Sequence, residues 1–475
     1  MTGQDLAAGV VDGPPLDNEG RGGADRVKRD PEEPVEPTGT TRAGLQMRAS
    51  DLLLVALVVL GLVCRLRDFS LPREFLFDEH HFVNNARNYL AGQADQNDHP
   101  PLGKLLIAAS IALFGDNSAA WRAPALLLGA ASLGLAAFAA ARSFKSPRAG
   151  WIALGLCAAD GFLIAYSRAA LLDGYLMCVG LGLLCVVSFA ASPVTALAAG
   201  ALLGLALAIK FSGVALLLPI LVWLAFTKGT WSKRAALIAL VLVTAVSLYC
   251  GIYAFGLHTA RQPATLSFVW FETKRLYLHH SELTDMKNPA TSGWSTWWLP
   301  VRPLMLGYGD DMGSVRALSS LGNLVAWWSS VALSLGVIGV IAWFGLRAVL
   351  SDSGEARRAS LPGALADQPL ALELSSFVFQ RSRGLLRTLA LAVGFVAPWV
   401  LTHRDSYIYH FLPAYAALLL ILAGFLAHAE VKHRAAVLWF LVALLLVAAF
   451  YAPVWSFAEL APSQLRARLF LGSWR

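Results

Sequence analysis

The sequence is short of charge. Of 475 residues, 15% are Asp, Glu, Lys or Arg, where an ordinary soluble domain carries about 25%. Apolar residues make up 57%, and the mean hydropathy is +0.58. That balance excludes a soluble enzyme, a disordered regulator and a simple nucleic-acid-binding protein. Cysteine is also scarce. Cys64, Cys157, Cys178, Cys185 and Cys250 all lie in apolar stretches without metal-ligand spacing, so they read as buried free thiols. A Gly-rich strand-to-helix signature for a nucleotide is missing. Residues 1–50 lack the basic segment and apolar core of a cleavable signal peptide. They are rich in Gly, Pro and charge, which predicts a disordered tail.

What is present is a series of long apolar runs. A membrane helix needs roughly 20 residues. The runs predict spans near 52–66, 122–141, 149–166, 172–190, 194–210, 212–227, 235–257, 321–346, 387–402, 407–427 and 435–452. The expected fold is therefore an all-α polytopic membrane protein with about 11 transmembrane helices over 51–452. Between the spans lie two long polar stretches, 67–121 and 258–320, and a basic linker, 347–386. Residues 453–475 form a C-terminal tail. Leu102–Phe114 is short for a span and suits a helix lying at the interface.

Charge orients the chain. Residues 1–50 hold nine acids against six bases, leaving +10 on the remainder. Most of the Lys and Arg of the short loops fall on one side, including Arg142, Lys145, Lys228, Lys233, Arg381, Arg383 and Lys432. That side is expected to be cytoplasmic. The N-terminus is then inside, and both long polar stretches and the C-terminus are outside.

The outer stretches hold the candidate chemistry. In Phe77-Asp78-Glu79-His80-His81 either carboxylate could serve as a general base, with His81 one helical turn after Asp78 to tune it. A solvated acid pair is the alternative. Asp98-His99-Pro100-Pro101-Leu102-Gly103-Lys104 places a helix N-terminus beside two cations. That combination suits a phosphate as well as it suits a surface helix meeting lipid headgroups. Asp160 lies inside a span and Asp173 opens one. Both are candidates for structural polar pairing, Asp173 with Arg168 across a short turn. Lys210 either snorkels or binds a phosphate. Trp294, Trp297 and Trp298 beside Arg302 suit sugar stacking or a membrane belt. The last outer turn brings Arg404, Tyr409 and His410 to the same face. A lipid-phosphate leaving group departs already anionic. Its transfer needs cations for the phosphate and one base for the incoming hydroxyl.

These motifs, in this order, resemble the protein O-mannosyltransferases. The resemblance rests on Asp78-Glu79-x-His81, His99-Pro-Pro-Leu-Gly-Lys104, Asp160…Ser167-Arg168…Leu172-Asp173, Lys210-Phe-Ser-Gly213, the Trp-rich loop ending at Arg302-Pro303, and Tyr409-His410-Phe411. It implies a GT-C glycosyltransferase fold and a single inverting displacement from polyprenyl-phosphate-mannose onto Ser or Thr hydroxyls of secreted or membrane proteins, some at the translocon. Asp78 would be the catalytic carboxylate, with Glu79 supporting it. His99, Lys104, Arg122, Arg168, Lys210, Arg302, Arg404 and His410 form the pool of donor-phosphate ligands. Trp294, Trp297, Trp298 and Tyr409 would meet the sugar or acceptor. Neither a cofactor nor a resident metal is expected, and lipids rather than nucleic acid are the surroundings. Residues 258–320 are too few for the large soluble insert of eukaryotic members, so the compact form of a bacterial plasma membrane is expected. Related alternatives keep the donor class but act on lipid A or another envelope glycolipid. A lipid-linked-sugar flippase is favoured only by Asp160.

Overall fold

The computed structural model describes residues 48–96, 98–282, 290–311, 313–350, 368–402 and 405–474, without the side chains of 347–350. Nearly all of the expected N-terminal tail lies outside them, as do Arg404 and most of the first half of the 347–386 linker.

Helix α1 spans Ala49–Leu66. The first polar stretch folds into α2 (Glu79–Leu90) and α3 (Leu102–Phe114). Then come α4 (Ser118–Ser143), α5 (Pro147–Ala158), α6 (Gly161–Ser167), α7 (Leu172–Val187) and α8 (Pro193–Ile209). A 3-10 turn, Phe211–Leu216, leads into α9 (Leu217–Ala225). Helices α10 (Trp231–Thr259) and α11 (Leu266–Glu282) precede a hairpin of β1 (Met305–Asp311) and β2 (Ser314–Ser319). The chain continues through α12 (Leu324–Leu350), α13 (Pro369–Leu401), α14 (Leu412–Ala429) and α15 (Arg434–Trp455). It ends with β3 (Glu459–Leu460) and α16 (Pro462–Arg468).

Local chemistry sets these boundaries. Asn117, Ser146 and Ser192 each accept a backbone N–H of the helix they precede, the last two with Pro at the first helical position. Asp160 interrupts one apolar run by capping α6, so α5 and α6 form a pair bent by 67°. Helix α14 is the axis of the bundle, with 94% of its apolar window buried. On α10 and α15 those shares are only 17% and 28%, so most of their apolar surface faces outward, as a bilayer requires. Gly200 and Gly204 let α8 lie directly on α10. A Cβ at either would sit 2.6 or 2.7 Å from the carbonyl oxygens of Val241 and Ala245.

Among the described residues, seven helices are long and apolar enough to cross a membrane, eight if the bent pair is one span. The chain is a multi-pass membrane protein. The other three of the eleven expected segments fall on apolar helices of 10–17 residues, α7, α8 and Phe211–Ala225.

Three expectations change. The fold is not purely helical, because β1, β2 and β3 form an antiparallel sheet in that order. Its strands are short, and β3 lies over 140 residues from its partner, so no local pattern announces it. Helix α13 begins at Pro369, far inside the expected basic linker. Leu374, Phe377 and Val378 form an apolar helical stripe there, which the surrounding Arg residues disguise. The stretch expected only as a C-terminal tail carries β3 and α16 and is packed. Trp474 is buried and its indole N–H donates to the Pro300 carbonyl at 2.9 Å.

Candidate active site

The first polar stretch is tied down before it reaches Asp78. Phe77 adopts φ +24°, and its N–H donates to the Leu306 carbonyl of β1 at 2.8 Å. That constraint turns the two neighbouring carboxylates in opposite directions. Glu79 is fully buried and accepts four hydrogen bonds. Oε1 takes Arg122 Nε at 2.9 Å and the Ala170 N–H at 2.8 Å; Oε2 takes Arg122 Nη2 and the Leu76 N–H, both at 2.8 Å. Asp78 is half-buried, and none of the described residues donates a hydrogen bond to its carboxylate. Burial pushes that carboxyl up from its ordinary value, against the opposing pull of His81, Lys210 and His80.

Beside it lies a polar cluster carried by three elements. Lys210, at the C-cap of α8, sets Nζ 3.0 Å from both oxygens of Asp173, in the first turn of α7. The ammonium also lies 4.8 Å from the Tyr409 ring centre. His410 Nδ1 is 3.8 Å from Asp173, and its ring stacks on Trp399 at 3.8 Å. The Tyr166 hydroxyl is buried without a hydrogen-bond partner among the described residues, within electrostatic range of Asp173, Tyr409 and Asp78.

These groups border a cavity of about 580 Å³. His99, Lys210, Tyr409 and His410 line it, with Ser212, Tyr277, His280 and Trp399. His99 and His280 stack at 5.1 Å, so α11 closes one wall. Pro398, Phe211 and Val214 make another part of the lining apolar. An anionic headgroup on an apolar tail suits such a surface.

The sequence-level assignments divide sharply. His99, Lys210, Tyr409 and His410 converge on the cavity, and Asp78 stands beside it. Glu79 does not act as a free acid, because its acceptor positions are filled. Arg122 is no phosphate ligand: it is fully buried, bonded to Glu79 and to the carbonyls of Pro72 and Glu74. Lys104 is likewise committed, to Asp95 and to the His99 carbonyl at 2.6 Å, so it shapes the loop that presents His99. Arg168 does not pair with Asp173. Its guanidinium donates to the carbonyls of Cys64, Arg65, Arg67, Asp68 and Ser456, capping the end of α1. Asp160 accepts from the N–H groups of Phe162, Leu163 and Asn323 and from the Tyr415 hydroxyl, so its polar pairing is with neutral donors. That arrangement removes the one feature favouring a flippase.

Arg302 is exposed, donates to the Thr291 carbonyl, and lies outside the cavity lining. Trp297 is wholly buried against Trp399, His410 and Phe411 and supports the His410 wall from behind. Trp298 packs on Phe411, and Trp294 is half-buried against the core. None of the three is among the residues lining the cavity. His81 is exposed at the mouth of α2, its ring 3.8 Å from that of His80. Sequence reasoning passed over Tyr166, Tyr277, His280 and Trp399. The i, i+3 pair Tyr277 and His280 in the polar C-terminal half of α11 was the available signal.

Comparison with known proteins agrees along the chain. Family models described as dolichyl-phosphate-mannose-protein mannosyltransferase match residues 55–121 and 98–251. The C-terminal four TMM region of protein-O-mannosyltransferase matches 266–474. The polyprenol-phosphate-mannose–protein mannosyltransferase of Mycobacterium tuberculosis is 36% identical over 108 residues, 21% of each chain. That of Mycolicibacterium smegmatis is 32% identical over 141 residues, 27% of each. These alignments thus span about a fifth to a quarter of those relatives. In fold, the chain is similar to the Saccharomyces cerevisiae protein O-mannosyltransferase Pmt1–Pmt2 complex bound to the sugar donor. The TM-score is 0.73 at 15% identity, covering 91% of this chain and 93% of that one. ArnT from Cupriavidus metallidurans in the apo state follows at 0.53 and 15% identity, covering 86% and 75%. Three consecutive family matches and a shared GT-C architecture lead to one conclusion: the chain belongs to the protein O-mannosyltransferase family.

Proposed function

We propose that the protein transfers mannose from a polyprenyl-phosphate-mannose donor to Ser or Thr hydroxyls of secreted or membrane proteins, with inversion at the sugar. The observation that carries this reading is the pairing of Asp78, a carboxylate that takes no hydrogen bond from the described residues, with a cavity that joins cations to an apolar wall. Asp78 takes the proton of the acceptor hydroxyl as its oxygen attacks the anomeric carbon. The bond from that carbon to the phosphate oxygen breaks, and its electron pair stays on the phosphate. Lys210, His99 and His410 face the charge that grows there. The Asp173 carboxylate holds Lys210 in place and keeps the site from being overwhelmingly positive when empty. The Tyr166 hydroxyl lies within electrostatic range of both carboxylates. No general acid is required, because the phosphate leaves as a stable anion.

The Lys and Arg bias of the short loops supports a cytoplasmic N-terminus and an outward-facing Asp78, in a bacterial plasma membrane. The test is product mass spectrometry with the purified protein and polyprenyl-phosphate-mannose. A Ser/Thr peptide and lipid A serve as parallel acceptors. Mannosylated peptide is expected. Glycosylated lipid A with an unmodified peptide would replace the protein acceptor by an envelope glycolipid.

A further inference from the structure

A second recess is at the other end of the bundle. It measures about 860 Å³ and is lined by the C-terminal ends of α4, α7 and α9, the start of α10 and the middle of α13. Helix α7 connects it to the candidate active site, with Asp173 at one end and Ser188 just past the other. Sixteen residues at 1.5 Å each separate the two by about 24 Å. The recess therefore opens on the opposite membrane face.

Seven cations line it: Arg142 in the last turn of α4 and Lys145 just after it, Lys228 and Lys233 at the α9–α10 turn, and Arg381, Arg383 and Arg387 on α13. No Asp or Glu does. Among the described residues, Glu373 of this face is held by Lys432, and Glu430 and Asp51 by Arg148. Among the described residues none of the seven forms an ion pair. Arg142 instead lies over the Phe189 ring at 4.6 Å, and Arg383 over Phe226 at 6.0 Å. The packing fixes this geometry. Gly384 sits against the Ser143 backbone so closely that a Cβ would fall 2.0 Å from its carbonyl oxygen. Helix α13 departs from helical geometry at Arg381, with φ −120° and ψ 15°. Orientation in the membrane needs Lys and Arg only in the loops. It gives no reason to gather seven around one aromatic-walled recess.

We propose that this recess is an anion site for a phosphate-bearing ligand with at least two negative charges. A lipid headgroup of that leaflet and a soluble phosphate compound share this chemistry, and basic pockets between membrane helices favour it. Each cation facing an anionic group strengthens the attraction about fivefold. Neutralising three should weaken binding on the order of 100-fold.

The test uses the full chain in phosphatidylcholine nanodiscs. One arm adds cardiolipin to the nanodisc, and the other adds pyrophosphate to the buffer. Thermal unfolding and native mass spectrometry read binding to the wild type and to the triple variant Lys228→Gln, Lys233→Gln, Arg383→Gln. All three positions are exposed, and no bond to their side chains holds the fold. Should the triple variant still fail to fold, Lys233→Gln alone replaces it, with a loss of about fivefold. Binding in either arm that collapses in the variant supports the site, and the responding arm identifies the source. Failure of both arms to bind the wild type, or equal binding by the variant, overturns it.

Discussion

Changing Glu79 to Gln separates a structural carboxylate from a catalytic one. The two differ by a single position in the chain, and only their surroundings distinguish them. Each Glu79 oxygen accepts one N–H from Arg122 and one from the backbone. A Gln side chain keeps one oxygen and replaces the other by NH₂. Whichever way the amide turns, two buried donors lose their acceptor and face another donor. Hydrogen bonds to charged groups contribute about 1.5–3 kcal/mol each, so two of them are worth about 3–6 kcal/mol. Arg122 meanwhile keeps a full positive charge at zero exposure with no anion beside it, and removing one partner of a buried pair typically costs about 3–5 kcal/mol. These two figures describe the same loss and are not additive. Either is a large part of a stability of about 5–15 kcal/mol. The expected result is a midpoint of thermal unfolding lowered by several degrees in detergent. Activity should fall in proportion to the folded fraction, with an unchanged pH profile. Replacing both partners by Met should recover much of the loss, since an apolar pair leaves no buried charge. An E79Q protein that unfolds like the wild type yet loses about 100-fold or more in kcat would refute the reasoning and make Glu79 a reacting group.

The remaining expectations are more direct. Asp78→Asn should lower kcat about 10²- to 10⁴-fold, measured with a Ser/Thr peptide, while donor binding persists. Its thermal stability at neutral pH should equal or exceed that of the wild type. Burial raises the folded-state pKa of Asp78 above its unfolded value. The folded protein thus holds that proton to higher pH, and stability falls as pH rises from the unfolded to the folded pKa. A lower midpoint for this variant would contradict that sign. For the same reason kcat/KM of the wild type should rise with pH through a value raised above that of an ordinary aspartate, and a profile flat across the acid range would remove Asp78 as base. His99→Ala should raise the donor KM with little change in stability, because the ring lines the cavity while the backbone carbonyl holds Lys104. Arg168→Ala should do the opposite, leaving five carbonyl groups without their donor and lowering thermal stability without a selective effect on donor KM.

Much of this arrangement was legible because hydropathy and motif order are local properties. The apolar runs located the helical segments, and Asp78, Lys210, Tyr409 and His410 stood out as polar groups at span ends. What stayed hidden was the partner of each charge. Arg122 and Arg168 look alike in sequence to Lys210, all three being cations near the outer face. The first meets a carboxylate 43 positions earlier and the second meets carbonyls up to 288 positions away. Those separations are tertiary, and no spacing rule reaches them. The misread linker has the same cause in reverse: Arg381 and Arg383 read as loop because the apolar stripe beneath them finds its complement on other helices.

Helix length supplies the last step. At 1.5 Å per residue, α7 and α8 reach only about 24–26 Å, whereas α4 and α10 reach about 39–44 Å. The hydrocarbon core is about 30 Å thick. Helices shorter than this leave one end below the membrane surface, and the ends that carry Asp173 and Lys210 both belong to short helices. A cation sunk to that depth is costly in isolation, which is why Lys210 is met by Asp173 on both oxygens. On the proposed function, Lys210 then meets a lipid-borne phosphate that has not left the bilayer. Asp78 lies at the head of α2, within electrostatic range of Lys210. It can meet a hydroxyl arriving from water while the leaving group stays at the headgroup level. Lengthening α8 by one turn before Lys210 would carry that ammonium about 5 Å outward. Donor use should then fail although every side chain of the site is still present.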